Sequence, residues 1–352
     1  MLPGAYPDVI KRRNACRRHK RRNISEAETG VVKYRILSLK VFVKRYGVRG
    51  NKKMKKILLT GGTGFFGKSI LDMVKREELT GYDFTILSRD PGKFLCDFPE
   101  FAHLPQVTFI AGDVRDFSVS GTFDAMILGA TPASTAVPDE EMHSIILDGT
   151  RHSLKIARQC GVKKLLFISS GAVYGRQKVP RVPESASCDP VTVYGKAKLE
   201  AENLCFSSGI PAVCARCFAF TGKYLPRDIH FAIGNFIRDA LAGKEIIVNG
   251  DGTPLRSYLY ADDLVSWLFN LLERGPDRTV CNVGSDQAVS IAELARIVAD
   301  TLAPGVPVKI LMSPEPGKQP QPYVPDITFA REKGYCSGKF SFTEALRLSA
   351  GI

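Results

Sequence analysis

The chain has 352 residues, 44% of them apolar, which suits one large domain or two modest ones around a real core. It contains no run of about 18 apolar residues, which excludes a membrane-spanning helix of the usual kind. The formal charge of +13 would suit a polyanion partner, but residues 1–53 hold 16 of the 49 basic residues and 3 of the 36 acidic ones, so the remaining 33 of each sign cancel. The body therefore gives no electrostatic reason to expect a nucleic-acid partner, and no membrane partner is expected.

Taken in chain order, residues 1–53 are a basic extension. A basic cluster covers 11–22, Glu26 and Glu28 form a short acidic patch, and a mixed apolar-basic run covers 31–48. The basic region is too long for a secretory signal, and no clean apolar core precedes a small-residue cleavage site. Three readings stay open: a disordered, non-native extension ahead of a start at Met54, a disordered basic tail, and an organelle transit peptide. The first fits best, because Met54 is followed at once by Lys55, Lys56 and a strand.

From Met54 strands and helices alternate. Apolar runs at 57–60, 84–87, 107–110, 125–128, 165–168 and 211–218 read as strands, and 64–75, 140–160 and 194–207 as helices. This rhythm predicts an α/β fold with a doubly wound parallel sheet of the Rossmann kind over residues 54–220. After Thr221 it loosens: helical patterns at 230–241, 262–272 and 291–302 alternate with short strands, and prolines crowd 304–325. Residues 221–352 are expected to form a smaller α/β substrate lobe.

The nine cysteines are an odd number. Cys214 and Cys217 form a lone CxxC inside an apolar strand with no second ligand pair, so buried thiols are expected rather than a metal, in a reducing cytoplasm.

The first strand runs into Thr60-Gly61-Gly62-Thr63-Gly64-Phe65-Phe66-Gly67. Glycines at 61, 64 and 67 permit a tight turn, close backbone approach to a pyrophosphate and close packing of helix on sheet. The following helix N-terminus offers free N–H groups and partial positive charge to phosphates. At the end of the second strand an acid would bind the ribose hydroxyls of NAD. Here Ser88 and Arg89 stand there, and a guanidinium matches a 2′-phosphate, which tilts the expectation toward NADP; Asp90 nearby keeps NAD open.

Tyr194 and Lys198 are four apart, on one helix face. A phenol of pKa about 10 is a poor base at neutral pH, and a nearby ammonium would draw it down toward the working range. Lys198 could also hold the nicotinamide ribose. Ser170 ends the fifth strand, where doubly wound sheets place their ligands, and could polarise the same substrate oxygen.

Together with Gly112-Asp113-Val114, Ser169 to Gly175 and Arg256 to Leu264, these motifs resemble the NAD-dependent epimerase/dehydratase family, extended short-chain dehydrogenases that act on nucleotide sugars. The resemblance covers Met54 to the C-terminus. It implies that Gly61, Gly64, Phe65, Phe66 and Gly67 line the pyrophosphate, that Asp113 and Val114 flank the adenine, and that Gly129, Ala130 and Thr131 pass under the cofactor. It implies Ser170, Tyr194 and Lys198 as the catalytic set, with Tyr194 and Lys198 also touching cofactor. Substrate contacts fall to Ser170, Asn235 and Arg256, the last gripping the diphosphate. A homodimer formed through the helices at 140–160 and 194–207 is implied as well.

The chain departs from the family at several places. The Asp-Glu pair that follows the Ser/Thr in dehydratases is Gly171-Ala172, which argues against 4,6-dehydration. Ile146 and Ala219 replace frequent asparagines, and the usual arginine is missing around Gly317. The expectation is thus a nucleotide-sugar 4-epimerase or 4-keto reductase. Two alternatives stay open: a catalytically silent NAD(P)-binding sensor or scaffold, and a nucleic-acid-associated protein working through the leader.

Overall fold

The structure is a computed structural model, and it describes residues 54–132, 137–317, 319–336 and 338–352. The three readings of residues 1–53 lie outside the described residues. Seven parallel strands form the main sheet: β1 (Lys55–Thr60), β2 (Tyr82–Ser88), β3 (Val107–Ala111), β4 (Ala125–Leu128), β5 (Leu165–Ser170), β6 (Ala212–Cys217) and β11 (Thr279–Val283). Their spatial order is β11-β6-β5-β4-β1-β2-β3. The chain thus leaves β1 toward β2 and β3 on one side, then crosses back to build β4, β5 and β6 on the other.

Helices cover both faces because the central strands are apolar on both. In β4, Ala125 and Ile127 enter one core layer, while Met126 and Leu128 enter the other. Residue alternation in β5 and β6 repeats this, so these strands read as continuous apolar runs. The first layer is closed by α1 (Phe65–Lys75) and α6 (Ala261–Arg274). These two are tied by an Arg76–Asp262 ion pair of 2.8 Å. The second layer is closed by α3 (Asp139–Gln159) and α4 (Val193–Phe206). Cys214 and Cys217 fall in opposite layers, which rules them out as paired ligands of one metal.

The smaller lobe packs α5 (Ala232–Leu241), α7 (Ile291–Leu302) and α9 (Phe342–Ala350) around a separate core. It includes short ladders: β8 (Ile246–Val248) pairs with β13 (Val308–Ile310), and β9 (Leu255–Arg256) lies between β12 (Val289–Ser290) and β14 (Pro322–Tyr323).

The division expected at residue 220 needs correction. Strand β11 pairs with β6 in parallel register, Val280 opposite Cys214, and α6 packs on the first layer, so residues 261–283 belong to the sheet although they follow residue 220 in the chain. Sequence order alone hides this return, because β11 pairs across more than 60 intervening residues.

Candidate active site

The site forms where β1 and β4 diverge, the point at which α1 and α3 leave for opposite faces and a crevice opens beyond the strand ends. On one wall the glycine turn follows β1. Gly61 has φ +74, and a Cβ there would lie 2.3 Å from the Gly129 carbonyl oxygen, so only glycine lets the β1 and β4 loops approach. Gly64, exposed, caps α1 with no side-chain hydrogen bond, and the first turn of α1 has no acidic residue. The N–H groups of that turn are therefore left for an anion.

Three of the expected cofactor contacts have side chains or packing roles turned away from the crevice. Gly67 is buried, and a Cβ there would sit 2.1 Å from the Gly62 carbonyl oxygen, so Gly67 serves the packing of α1 on its own turn rather than the crevice. Phe65 and Phe66 turn their rings into the core, 5.6 Å apart, with Phe66 5.5 Å from Phe220; only their backbones face the turn. Gly62 was not singled out by sequence, yet its Cβ would meet Ile86 at 2.4 Å.

At the end of β2, Ser88 is buried and Arg89 exposed. Asp90 is already committed as the N-cap of α2 (Pro91–Asp97), accepting from the Lys93 N–H at 2.8 Å. Asp113 accepts two side-chain bonds from Arg115, at 2.7 and 2.9 Å, and the Arg115 backbone N–H at 3.0 Å. Those bonds hold its carboxyl below the usual range, with a smaller contribution from Arg89, which places Arg89 in its field. Val114 is buried against Gly149 of α3. Gly129 donates to Thr60 at 3.2 Å, and Ala130 and Thr131 continue past the end of β4. Ile146, where the family often has asparagine, is 2% exposed in the α3 layer.

The opposite wall carries the hydroxyl, phenol and ammonium. Ser170 ends β5, and its Oγ accepts from the Ala172 N–H at 3.1 Å, starting the tight turn Gly171–Tyr174. Thr192 caps α4, accepting from the Gly195 N–H at 3.0 Å. A Cβ on Gly195 would lie 2.7 Å from the Ala172 carbonyl oxygen, so this glycine lets the start of α4 rest on the turn after β5. That contact brings Tyr194 to Ser170. One helical turn on, the Lys198 Nζ donates to the Ile168 carbonyl at 2.7 Å and to Thr131 Oγ1 at 2.8 Å. Lys198 thus bridges the β5 and β4 edges across the crevice.

The electrostatics differ from the expectation. Burial pushes the Tyr194 phenol up to about 12, against a smaller opposing pull from the Ser170 hydroxyl. Burial also draws the Lys198 ammonium down to about 8. The ammonium sits 5.9 Å from the Tyr194 ring centroid, with its hydrogen bonds directed to Ile168 and Thr131. Burial is the largest cause of both shifts, and neither group figures among the causes of the other's, so the resting pair is a neutral phenol beside a weakly held proton rather than an acidified tyrosine.

Sequence reasoning missed Tyr323. It lies in the proline-rich stretch, where no periodicity marks it, but β14 pairs with β9 and carries its hydroxyl to 3.5 Å from Ser170 Oγ. Its ring packs on Phe218 at 4.9 Å, and the Arg256 guanidinium sits 5.8 Å from its centroid. Arg256 is thereby placed beside the site, with Nη1 anchored on the Leu255 carbonyl at 2.8 Å. Asn235 is engaged elsewhere: it donates to the Ile229 carbonyl at 2.8 Å and accepts from Arg238 at 3.3 Å.

A Cβ on Gly171 would fall 2.7 Å from the Phe218 ring, so a proton-transfer residue there would require that ring to move. Beneath the site a buried Arg216–Glu202 pair, 2.8 Å, joins β6 to α4, and the Ser169 hydroxyl donates to the same carboxylate. A buried ion pair of this geometry fixes registration more than it adds stability.

The open glycine turn, the uncapped helix start and a lysine reaching across the crevice fit a nicotinamide dinucleotide. Sheet and crevice together define a nicotinamide-dinucleotide-dependent enzyme of the doubly wound α/β class. The family model described as the NAD dependent epimerase/dehydratase family matches residues 57–284. The chain belongs to that family.

Among curated relatives, UDP-glucuronic acid decarboxylase 5 of Arabidopsis thaliana is 29% identical over 310 residues, covering 83% of this chain and 87% of the relative. UDP-glucose 4-epimerase of Streptomyces lividans is 26% identical, covering 79% and 90%. Among solved structures, the UDP-N-acetylglucosamine 4-epimerase of Methanobrevibacter ruminantium, in complex with UDP-N-acetylmuramic acid, superposes with a TM-score of 0.73 at 23% identity, covering 85% of this chain and 98% of that one. The UDP-glucuronic acid 4-epimerase of Bacillus cereus, in complex with UDP-glucuronic acid and NAD, gives 0.71 at 22%, covering 84% and 98%. Identities this low speak for a shared fold.

Proposed function

We propose that this enzyme oxidises or reduces C4 of a nucleotide-linked sugar, as a 4-epimerase or 4-keto reductase, with Tyr194 carrying the proton. The observation that carries this reading is the convergence of Ser170, Tyr194 and Lys198 at the crevice, while Gly171 and Ala172 leave no second acid–base pair beside them. Gly171 and Ala172 do not supply the acid–base pair that dehydration across C5 and C6 uses, which favours exchange at C4–O4. The sugar-nucleotide substrate class draws on the epimerases and decarboxylases to which the chain is similar.

When bound, the nicotinamide accepts or returns a hydride at C4. The protein groups do the rest. In the reducing direction Tyr194, a phenol at rest, gives its proton to the ketone oxygen as hydride reaches C4, and Ser170 polarises that oxygen. In the oxidising direction the phenol must first give up its own proton to solvent, and the phenolate then takes up the O4 proton. Lys198 holds the proton balance of the pair and orients the nicotinamide ribose. Arg256 is assigned to the substrate diphosphate. Gly61, Gly64 and the backbone of Phe65 and Phe66 are assigned to the pyrophosphate, with Asp113 and Val114 at the adenine. Ser88 and Arg89, together with the commitment of Asp90 to its helix cap, favour a 2′-phosphate, and we propose NADP as the preferred dinucleotide.

The test incubates the full chain with UDP-glucose, UDP-galactose and their N-acetylated and uronate forms, each with NAD+ and NADP+, and with a UDP-4-keto sugar with NADH and NADPH. Conversion at C4 is expected for at least one sugar. Tyr194→Phe should lower kcat by about 10²–10⁴-fold without loss of dinucleotide binding, the range typical of a lost general acid or base. Turnover that is indifferent to Tyr194→Phe, or no conversion of any sugar while dinucleotide binds, would overturn the reading in favour of a silent sensor.

A further inference from the structure

The end of β2, where doubly wound folds meet the adenosine ribose of a dinucleotide, lies against the end of β3. Ser88 stands opposite Ala111 in parallel register, and the Gly112 N–H donates to the Ser88 carbonyl at 3.0 Å. Asp113, the next residue, is thereby held beside the Ser88–Arg89 corner, within the field of the exposed Arg89 guanidinium. A carboxylate at this place opposes a 2′-phosphate. The phosphate brings roughly two negative charges of its own, and Asp113 competes with it for Arg89.

Arg115 meets that carboxylate first. Its Nε donates to Asp113 Oδ1 at 2.7 Å and its Nη2 to Oδ2 at 2.9 Å, while its backbone N–H adds a bond to Oδ1 at 3.0 Å. One planar fork thus covers both oxygens of Asp113. The same bonds favour the ionised carboxyl, so the pair is charge against charge. Arg115 also lies in the field of the exposed Asp116 and Glu141, which makes it the counter-charge for three carboxylates at this edge. Taking its charge away leaves Asp113 to draw on Arg89.

We propose that Arg115 is a dinucleotide-specificity residue that works through Asp113: by matching the carboxylate it leaves Arg89 free for the 2′-phosphate of NADP. The inference rests on the NADP preference proposed above and assigns part of that preference to a positioning residue. A guanidinium two places after the aspartate reads in sequence as a second phosphate ligand. The geometry points elsewhere, because Nε and Nη2 are both spent on Asp113. NADH carries a neutral hydroxyl where NADPH carries the phosphate, so the charge of Arg115 bears on NADPH far more than on NADH.

The test measures Kd of the full chain for NADPH and for NADH from the change in nicotinamide fluorescence, with thermal melts to check that each variant is folded. Wild type should bind NADPH more tightly. Arg115→Gln should weaken NADPH by about five- to tenfold at low salt and NADH by less than about twofold, in keeping with one uncompensated charge near a phosphate at a partly exposed site. The loss should shrink at about 0.5 M salt, where exposed charges are screened. Arg115→Lys, which keeps the charge, should hold most of the NADPH-to-NADH ratio. Adding Asp113→Asn to Arg115→Gln should recover most of the lost ratio, and Asp113→Asn alone should keep or raise it. Reading the ratio cancels any adenine contact of Asp113 that both dinucleotides share. An unchanged ratio in Arg115→Gln, an Arg115→Lys as poor as Arg115→Gln, or a fall in Asp113→Asn alone would each overturn the proposal. So would a ratio that stays low in the double variant, since Arg115 would then be binding the phosphate itself. A wild type that prefers NADH removes the NADP reading and this inference with it. No arm needs turnover, so the outcome is separate from that of the C4 chemistry.

Discussion

At the scale of single residues, burial governs the candidate site more than pairing does. Lys198 is lowered from 10.5 to about 8. Between those values the unfolded chain holds the proton that the folded one has lost, so Lys198 makes the fold more stable as pH rises through that window. Tyr194 does the opposite: raised from 10.0 to about 12, it stays protonated in the fold longer than in the unfolded chain, and its contribution falls as pH rises from 10 to 12. On the proposed mechanism, activity needs the cationic lysine. A basic limb near pH 8 is expected in kcat/KM, and Lys198→Arg should move it above pH 10 at a lower plateau. A wild-type profile flat from pH 7 to 9, or an unmoved limb in the variant, would refute this. Arg89 makes a second residue-level prediction. Arg89→Ala should raise KM for NADPH by about tenfold and change KM for NADH by less than about twofold, since a guanidinium–phosphate contact is worth roughly 1.4 kcal/mol or more. Equal effects on both cofactors would remove the case for NADP.

At the scale of elements, the turn between β1 and α1 separates packing from binding. Gly67→Ala puts a Cβ 2.1 Å from backbone, which cannot move without shifting the whole turn. It should cost about 3 kcal/mol, seen as a lowered urea midpoint. Gly64→Ala meets nothing closer than 3.4 Å and should fold normally, yet lose about tenfold in dinucleotide affinity, because its methyl intrudes on the phosphate side. A stability loss equal in the two variants would show that the turn has no free face. Glycine spacing was legible as a motif in the sequence; which glycine packs and which lines the crevice was not, since both have the same side chain and differ only in what lies opposite.

At the scale of the molecule, charge balance bears on the leader. The chain beyond residue 53 is electrically balanced, so the excess positive charge lies ahead of the family match. Removing residues 1–53 should therefore change kcat/KM by less than about twofold. On the homodimer we propose, in which α3 and α4 supply the contact, both forms should sediment as dimers. Loss of activity with the leader would return attention to a polyanion partner. The outer faces of α3 and α4 carry polar groups such as Arg151 and Glu200, paired at 3.0 Å, so this contact would be a polar one with half-buried Ile145 and Leu199 at its seam.

The sequence by itself determined the alternation of strand and helix, the glycine turn, and the Ser170, Tyr194 and Lys198 set, because these are written in short-range period and spacing. Tertiary structure decided the rest. It returned β11 to the main sheet, brought Tyr323 from the proline-rich stretch to Ser170, and set the Phe218 ring against Gly171. It also reversed the expected acidity of Tyr194. Pairing across distant segments, and the removal of water around a charged group, depend on what the folded chain stacks on each side, and no local pattern encodes either.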